Sequence, residues 1–454
     1  MKTIFVSLFE GVEAKNILRT DIVPTLLRDP EVKLVLLMKS EERARLYEKE
    51  FNNPRIRYEV VPYVRARGRG LDRLFAGLKY TLLRTKSTVL QRRLQRRIGG
   101  SYAAYAFWRM ANVVIARPSV RRVVRFLDFL LVRNAMYAPV FDAYRPDLVF
   151  LAHLFEEPET HILREAKRRH IKTIGFINSW DKVTERCIMR LLPDRAIVFN
   201  NTIRDDLVRH NDMALRDIFV GGIPQYDRYV KEESSSREEF LRRIQCDPKK
   251  KLLVYATNIS SYSGSDWQTI DLLHALNGRG IFGEKVNILV RFRPNDLVDG
   301  VELKKRPYVR YDYPGMRFAA KRSNDWDMDE ADETHLRNTL KWMDVLVCYS
   351  SSLVVDAAIF GKPIININFD PRDTVHGTPV RFYNYTKEHY AKALASGGIR
   401  LVHSEDELVT WVRRYLKEPD ADAAGRKRLV SEQCQFLDGK SGERIGKFIL
   451  SNLR

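Results

Sequence analysis

The run Asp344-Val345-Leu346-Val347-Cys348-Tyr349 reads as a buried strand that breaks into three consecutive serines, Ser350, Ser351 and Ser352. A short helical segment follows, ends at Gly361, and gives way at Pro363 to a second apolar run, Ile364-Ile365-Asn366-Ile367. Small hydroxyl residues at a helix start leave backbone N–H groups available to a phosphate, and the positive end of the helix dipole adds to their pull. Asp356, one turn further in, could accept hydrogen bonds from ribose hydroxyls. The plain alternative is a serine N-cap and an acid on a helix surface. After the second strand comes the polar stretch Asp370-Pro371-Arg372-Asp373-Thr374-Val375-His376-Gly377. Loops after strand ends are where open α/β sheets gather ligand groups, which makes Asp370 a candidate contact and His376 a candidate for a phosphate or sugar.

Other chemistries find no support. Asp325-Trp326-Asp327-Met328-Asp329-Glu330 has the look of a calcium loop, but Glu330 stands where Gly is required and Leu336 where a bidentate Glu should be. Cys187, Cys246, Cys348 and Cys434 form no C-x-x-C pair, which argues against a zinc site or disulfide scaffold. No phosphate-binding GxxxxGK loop, GxSxG elbow or HExxH pair is present. No metal is expected, and no cofactor.

The elements that must position these residues are read from short apolar runs alternating with helical segments. Strands are expected at 3–8, 33–37, 57–61, 147–151, 173–177 and 195–199, then at 251–256, 286–291, 345–349 and 363–367, with a helix over 15–27. Such runs indicate parallel sheets covered on both faces. At 454 residues, with 44% hydrophobic and 11% aromatic side chains, the chain can build two large α/β cores, and wholesale disorder is excluded. The fold class is α/β: two Rossmann-like doubly wound parallel-sheet lobes facing a cleft. The lobes are expected at 1–230 and 251–454, with 231–250 as a linker carrying one short helix and the terminal helix returning to the first lobe.

Charge is concentrated in one insertion, 65–127. It holds 16 Lys or Arg against one acid, Asp72, or +15 of the net +20. Leu74, Phe75, Leu78, Leu82, Leu90, Leu94 and Ile98 recur at spacings of three and four among those basic residues, as in an amphipathic helix with a basic face. A solvated face is the ordinary reading of a charge run, but this excess points to an anionic partner. No stretch reaches the length of a membrane-spanning helix, and the start Met1-Lys2-Thr3-Ile4-Phe5 is unlike a secretory signal.

The strand, the serine turn, the acid four residues on and the Gly-Lys-Pro before the last strand resemble the donor half of GT-B glycosyltransferases and the related CDP-glycerol glycerophosphotransferase-like proteins. Arg291-Phe292-Arg293-Pro294-Asn295-Asp296, Val220-Gly221-Gly222-Ile223-Pro224-Gln225-Tyr226-Asp227 and Phe369-Asp370 carry the same resemblance over residues 170 to 450. It implies that the second lobe binds a nucleotide-activated donor. Ser350, Ser351 and Ser352 would form the phosphate turn, with Asp356 on the ribose. Arg291 or Arg293 would neutralise the leaving phosphate in place of a metal, strand alternation deciding which. The acceptor hydroxyl must lose a proton to a base on the first lobe. Asp181, Glu10 and His153, each after an expected strand, are the candidates in that order.

The expected function is metal-independent transfer of a sugar from a nucleotide-activated donor to a bacterial surface-glycan or lipid-linked acceptor. Transfer of a polyol phosphate, as in the glycerophosphotransferases, is the alternative. An epimerase would need acid and base residues set around the sugar, and no such cluster is read. A third class is a nucleic-acid or anionic-surface binding protein without catalysis, but Tyr102, Tyr105, Phe107 and Trp108 cluster as packing or membrane-interface residues do. The expected setting is the cytoplasm, peripheral on the inner face of a membrane through residues 65–127.

Overall fold

The computed structural model describes residues 1–63, 68–97, 101–258, 265–318, 325–369 and 384–453. The chain forms two compact units, Met1–Val230 with Cys434–Arg454, and Lys231–Gln433.

In the first unit the strands are β1 (Lys2–Ser7), β2 (Val32–Met38), β3 (Ile56–Val60), β4 (Leu148–Leu151), β5 (Lys172–Phe176), β6 (Arg195–Val198) and β7 (Ile218–Val220). They pair in the order β3-β2-β1-β4-β5-β6-β7, and every pairing is parallel. Ile4, Phe5, Val6, Leu34, Val35, Leu36, Leu148, Val149 and Phe150 are all fully buried, the mark of strands covered on both faces. The chain order reverses between β1 and β4, so the carboxyl ends of those two strands flank a topological switch point, where ligands bind in doubly wound sheets.

The second unit has β8 (Leu252–Ala256), β9 (Asn287–Arg291), β10 (Arg310–Asp312), a small antiparallel ribbon of β11 (Met316–Arg317) and β12 (Trp326–Asp327), then β13 (Val345–Cys348), β14 (Ile364–Ile367) and β15 (Arg400–Val402). Its main sheet runs β10-β9-β8-β13-β14-β15, again parallel, with the switch between β8 and β13.

Three expectations change. The helix expected over 15–27 is two helices, Gly11–Ile17 and Ile22–Leu27. Thr20 Oγ1 donates back to the Asn16 and Ile17 carbonyls, a local bond that competes with helix continuation. The stretch 231–250 belongs to the second unit rather than standing outside both. Its helix Arg237–Arg243 is tied to that unit through Arg237, which bonds Asp344 at 2.8 Å. The single basic helix expected after Arg73 is a set of four: Gly70–Thr81, Lys86–Arg97, Tyr102–Ile115 and Pro118–Leu131.

The terminal helix Ser441–Leu453 packs in the first unit on Ile22–Leu27. Asp227 receives the Ser441 and Gly442 N–H groups at 3.0 and 2.8 Å, and so caps this helix. A Cβ on Gly446 would stand 2.7 Å from Thr25 Cβ, so only glycine permits the approach.

Candidate active site

In the second unit, candidate residues gather at the carboxyl ends of β8, β9 and β13. Arg291, the last residue of β9, is buried and bonds Asp312 at 3.3 Å, and His335 meets the same carboxylate at 2.9 Å. Arg291 is thereby committed to the sheet. Arg293, two residues on and half-buried, lies within electrostatic reach of Asp266, Cys348 and Tyr390. Its charge therefore sits beside the switch between β8 and β13.

The serine turn is held from below. Tyr390 Oη donates to Asn366 Oδ1 at 2.7 Å and receives the Ser351 N–H at 3.2 Å. Asn366 Nδ2 in turn bonds the Cys348 and Tyr349 carbonyls. Ser351 Oγ accepts the Leu353 N–H at 3.2 Å, so part of the turn's donor capacity is spent internally. Ser350 and Ser351 are half-buried, Ser352 is exposed, and Asp356 is buried in the first turn of the helix Leu353–Ile359. Asp370 and His376 lie outside the described residues.

Asp266 was not singled out from the sequence. It accepts from Tyr255 Oη at 2.6 Å and from the Asn258 N–H at 2.8 Å, and burial raises its carboxyl to about 6. Burial also pushes the Cys348 thiol up to about 12, which removes it as a nucleophile at neutral pH.

In the first unit, Glu10 follows β1 and stands at the N-cap of Gly11–Ile17, while Glu13 Oε2 accepts the Phe9 and Glu10 N–H groups at 2.5 and 3.1 Å. Glu13 and Glu159 are 1% and 2% exposed. Burial, then the Glu10 charge, raises Glu13 to about 8 against the pull of its two N–H bonds and of Lys182. Burial and Glu13 raise Glu159 well above the carboxylate range. These groups come from the ends of β1, β4 and β5, so the switch point carries a carboxyl pair able to hold one proton at neutral pH.

Asp181 sits half-buried on the same β5 loop and accepts the Ser179 hydroxyl. His153 is 2% exposed, and its Nδ1 accepts the Phe155 N–H at 3.1 Å, which fixes the ring against the turn. The structure thus brings Glu10 and the Asp181 loop together around Glu13 and Glu159, two residues the sequence reading passed over. Acids in the first turn of a helix are ordinary dipole partners, so their burial was the missing signal.

Asp72, Glu157 and His161 have the spacing of a metal site. Lys79 Nζ already bonds Glu157 at 2.7 Å and Arg190 bonds Asp72 at 2.8 Å, so the positive charge this cluster needs is supplied by the chain.

Glu13→Gln is expected to act through pH. A carboxyl raised from 4.5 to about 8 contributes stability below pH 4.5 that is lost as pH rises through 8, because the unfolded chain ionises first. The amide keeps the acceptor oxygen and does not titrate. The variant should melt with the native protein in acid and about 5 °C above it beyond pH 8, as scanning calorimetry would record. Parallel pH profiles would contradict the assignment.

The family model described as CDP-Glycerol:Poly(glycerophosphate) glycerophosphotransferase matches residues 192–451, more than half of the chain. Among solved structures, the putative UDP-N-acetylglucosamine 2-epimerase from Listeria monocytogenes is similar, with TM-score 0.53 and 11% identity over 100% of this chain and 96% of that one. The UDP-GlcNAc 2-epimerase from Neisseria meningitidis, bound to UDP-GlcNAc, gives 0.53 and 11% over 100% of both chains. HepE from Anabaena, in complex with UDP and glucose, gives 0.50 and 11% over 99% of this chain and 100% of that one. At these identities the likeness is one of fold, and that fold is GT-B. No curated protein matches the chain.

Proposed function

Because this chain belongs to the CDP-glycerol:poly(glycerophosphate) glycerophosphotransferase family, and is a transferase of GT-B fold, we propose that it moves a glycerophosphate-type unit from a cytidine-nucleotide donor to a hydroxyl acceptor. The observation that carries this reading is the family match over 192–451, which spans the whole second unit with Arg293 and the serine turn.

In the proposed reaction the acceptor oxygen bonds to the distal phosphorus of the donor. The bridging P–O bond breaks, and CMP departs with the bonding electrons. Arg293 would stabilise the charge gathering on the departing phosphate, which needs no metal. Ser350, Ser351 and Ser352 would hold the donor phosphates, and Asp356 the ribose. Asp370 and His376 stay candidate donor contacts. The acceptor proton would go to a carboxylate of the first unit, Asp181 or Glu10; Glu13 and Glu159, which burial keeps protonated at neutral pH, and His153, fixed through Nδ1, rank below them.

A nucleotide-sugar donor is the second reading, since the same phosphate and ribose contacts would serve it. Release of CMP from CDP-glycerol, in the presence of a poly(glycerophosphate) primer, supports the first; release of UDP from a UDP-sugar supports the second.

The acceptor is proposed to be membrane-borne, reached from the cytoplasmic face. Among the described residues no helix is long and apolar enough to cross a membrane. Phe107, Met110, Val114, Val123, Phe126 and Leu130 nevertheless stand 55–70% exposed on Tyr102–Ile115 and Pro118–Leu131. Apolar side chains beside Arg109, Arg117 and Arg122 suit helices lying in an anionic interface. Part of the basic charge serves another end: Lys79, Arg121 and Arg125 are buried on Glu157 and Asp212.

A further inference from the structure

The helices Gly70–Thr81, Lys86–Arg97 and Tyr102–Ile115 enclose a hollow of about 690 Å³. Its wall includes Arg73, Arg92 and Arg186 together with Leu74, Leu78 and Trp108. Arg186 bonds Glu156 at 2.7 Å. Among the described residues neither Arg73 nor Arg92 meets a carboxylate; Arg92 Nη2 donates only to the Tyr80 carbonyl, at 3.1 Å. Burial lowers the Arg92 pKa, as expected for a guanidinium short of water and of a counter-charge. The hollow thus carries positive charge in excess of its acids.

Its rim is of the opposite character. Leu74 is 53% exposed and Trp108 49%, and the outward face of the Trp108 helix continues through Met110 and Val114. Cationic walls beneath an apolar rim match an amphiphile with an anionic head and a hydrocarbon tail. A nucleic acid would leave the leucines and the Met110 face without use. Position adds to the case: Arg186 follows Asp181 by five residues and lies within its electrostatic reach, so the hollow borders the β5 loop of the first unit's switch point.

We propose that this hollow binds the phosphate headgroup of a membrane lipid that carries the acceptor, with Arg73 and Arg92 on the phosphate and Leu74 and Trp108 against the start of the tail. The inference rests on the transferase reading for why the headgroup should sit there, but binding is measurable without donor, so either can fail alone.

The test is calorimetric titration of the full chain with short-chain phosphatidylglycerol kept below its micelle concentration. Native protein should bind one lipid saturably, and Arg73→Gln/Arg92→Gln should weaken this by about tenfold or more. Arg73→Gln alone, at an exposed position, keeps the test readable should the double variant fail to fold, and should weaken binding about fivefold. Val123→Ser/Phe126→Ser should reduce adsorption to phosphatidylglycerol vesicles and leave monomer binding unchanged. Equal affinity in the arginine variants, absence of saturable binding, or inorganic phosphate binding as tightly as the lipid would each overturn the proposal. Turnover of CDP-glycerol, measured separately on native protein, reports on the transferase reading.

Discussion

Replacing Asp128 with Ala is expected to destabilise the first unit by about 3–5 kcal/mol, the cost of stranding buried charges. Asp128 is 1% exposed and accepts from Arg164 Nη2 at 2.5 Å, Arg190 Nη2 at 2.9 Å and Arg190 Nε at 2.8 Å. Arg190 also bonds Asp72 and Glu157, and Lys79 bonds Glu157. Removal of Asp128 leaves two buried guanidinium groups short of counter-charge.

These bonds dock two helices of the basic insertion, through Asp72 and Lys79 on one and Asp128 on the other, against Glu157–Arg168 beside the switch point. Loss of Asp128 should therefore loosen the insertion as well as lower the melting temperature. Asp142→Ala is the control: its partner Arg169 is a surface pair, with Asp142 68% exposed, and such pairs contribute about 1 kcal/mol or less. Thermal melting checks both. Equal melting temperatures for the two variants would show that the buried network is not what holds the insertion in place.

Arg293→Ala is expected to weaken donor binding about a hundredfold, with a smaller fall in melting temperature than Arg291→Ala, since a guanidinium–phosphate contact is a strong charge-assisted bond and Arg293 is half-buried where Arg291 is buried. Arg291→Ala should do the reverse. It takes a bonded partner from half-buried Asp312 and lowers stability, with donor affinity falling much less. Titration of CDP-glycerol into each variant, alongside melting curves, separates the two. Equal losses of affinity would place both arginines, or neither, on the donor.

That pair shows where sequence reasoning reached its limit. Strand alternation was expected to choose between Arg291 and Arg293, but residues two apart face the same side, and only Asp312, arriving from β10, assigns Arg291 to the sheet. β7, β10 and β15 are three residues each, too short for a periodic signal, and all three are sheet edges. The long buried strands, by contrast, were legible because both faces are covered and the runs are continuously apolar. The carboxyl pair Glu13–Glu159 and the network through Asp72, Asp128, Glu157, Arg164 and Arg190 join residues far apart in sequence. Burial alone distinguishes them from ordinary helix-surface charges. The excess of basic residues in 65–127 was plain, but its division between buried ties and exposed arginines needed the helices in place.

The central claim is that this chain transfers a glycerophosphate-type unit from a cytidine donor. The most direct measurement supplies CDP-glycerol and a UDP-sugar together with a primer on phosphatidylglycerol vesicles, and identifies by mass spectrometry both the released nucleotide and the mass added to the primer. CMP release matched by glycerophosphate on the primer is the predicted result. UDP release with a sugar added, while CDP-glycerol stays intact, would contradict it.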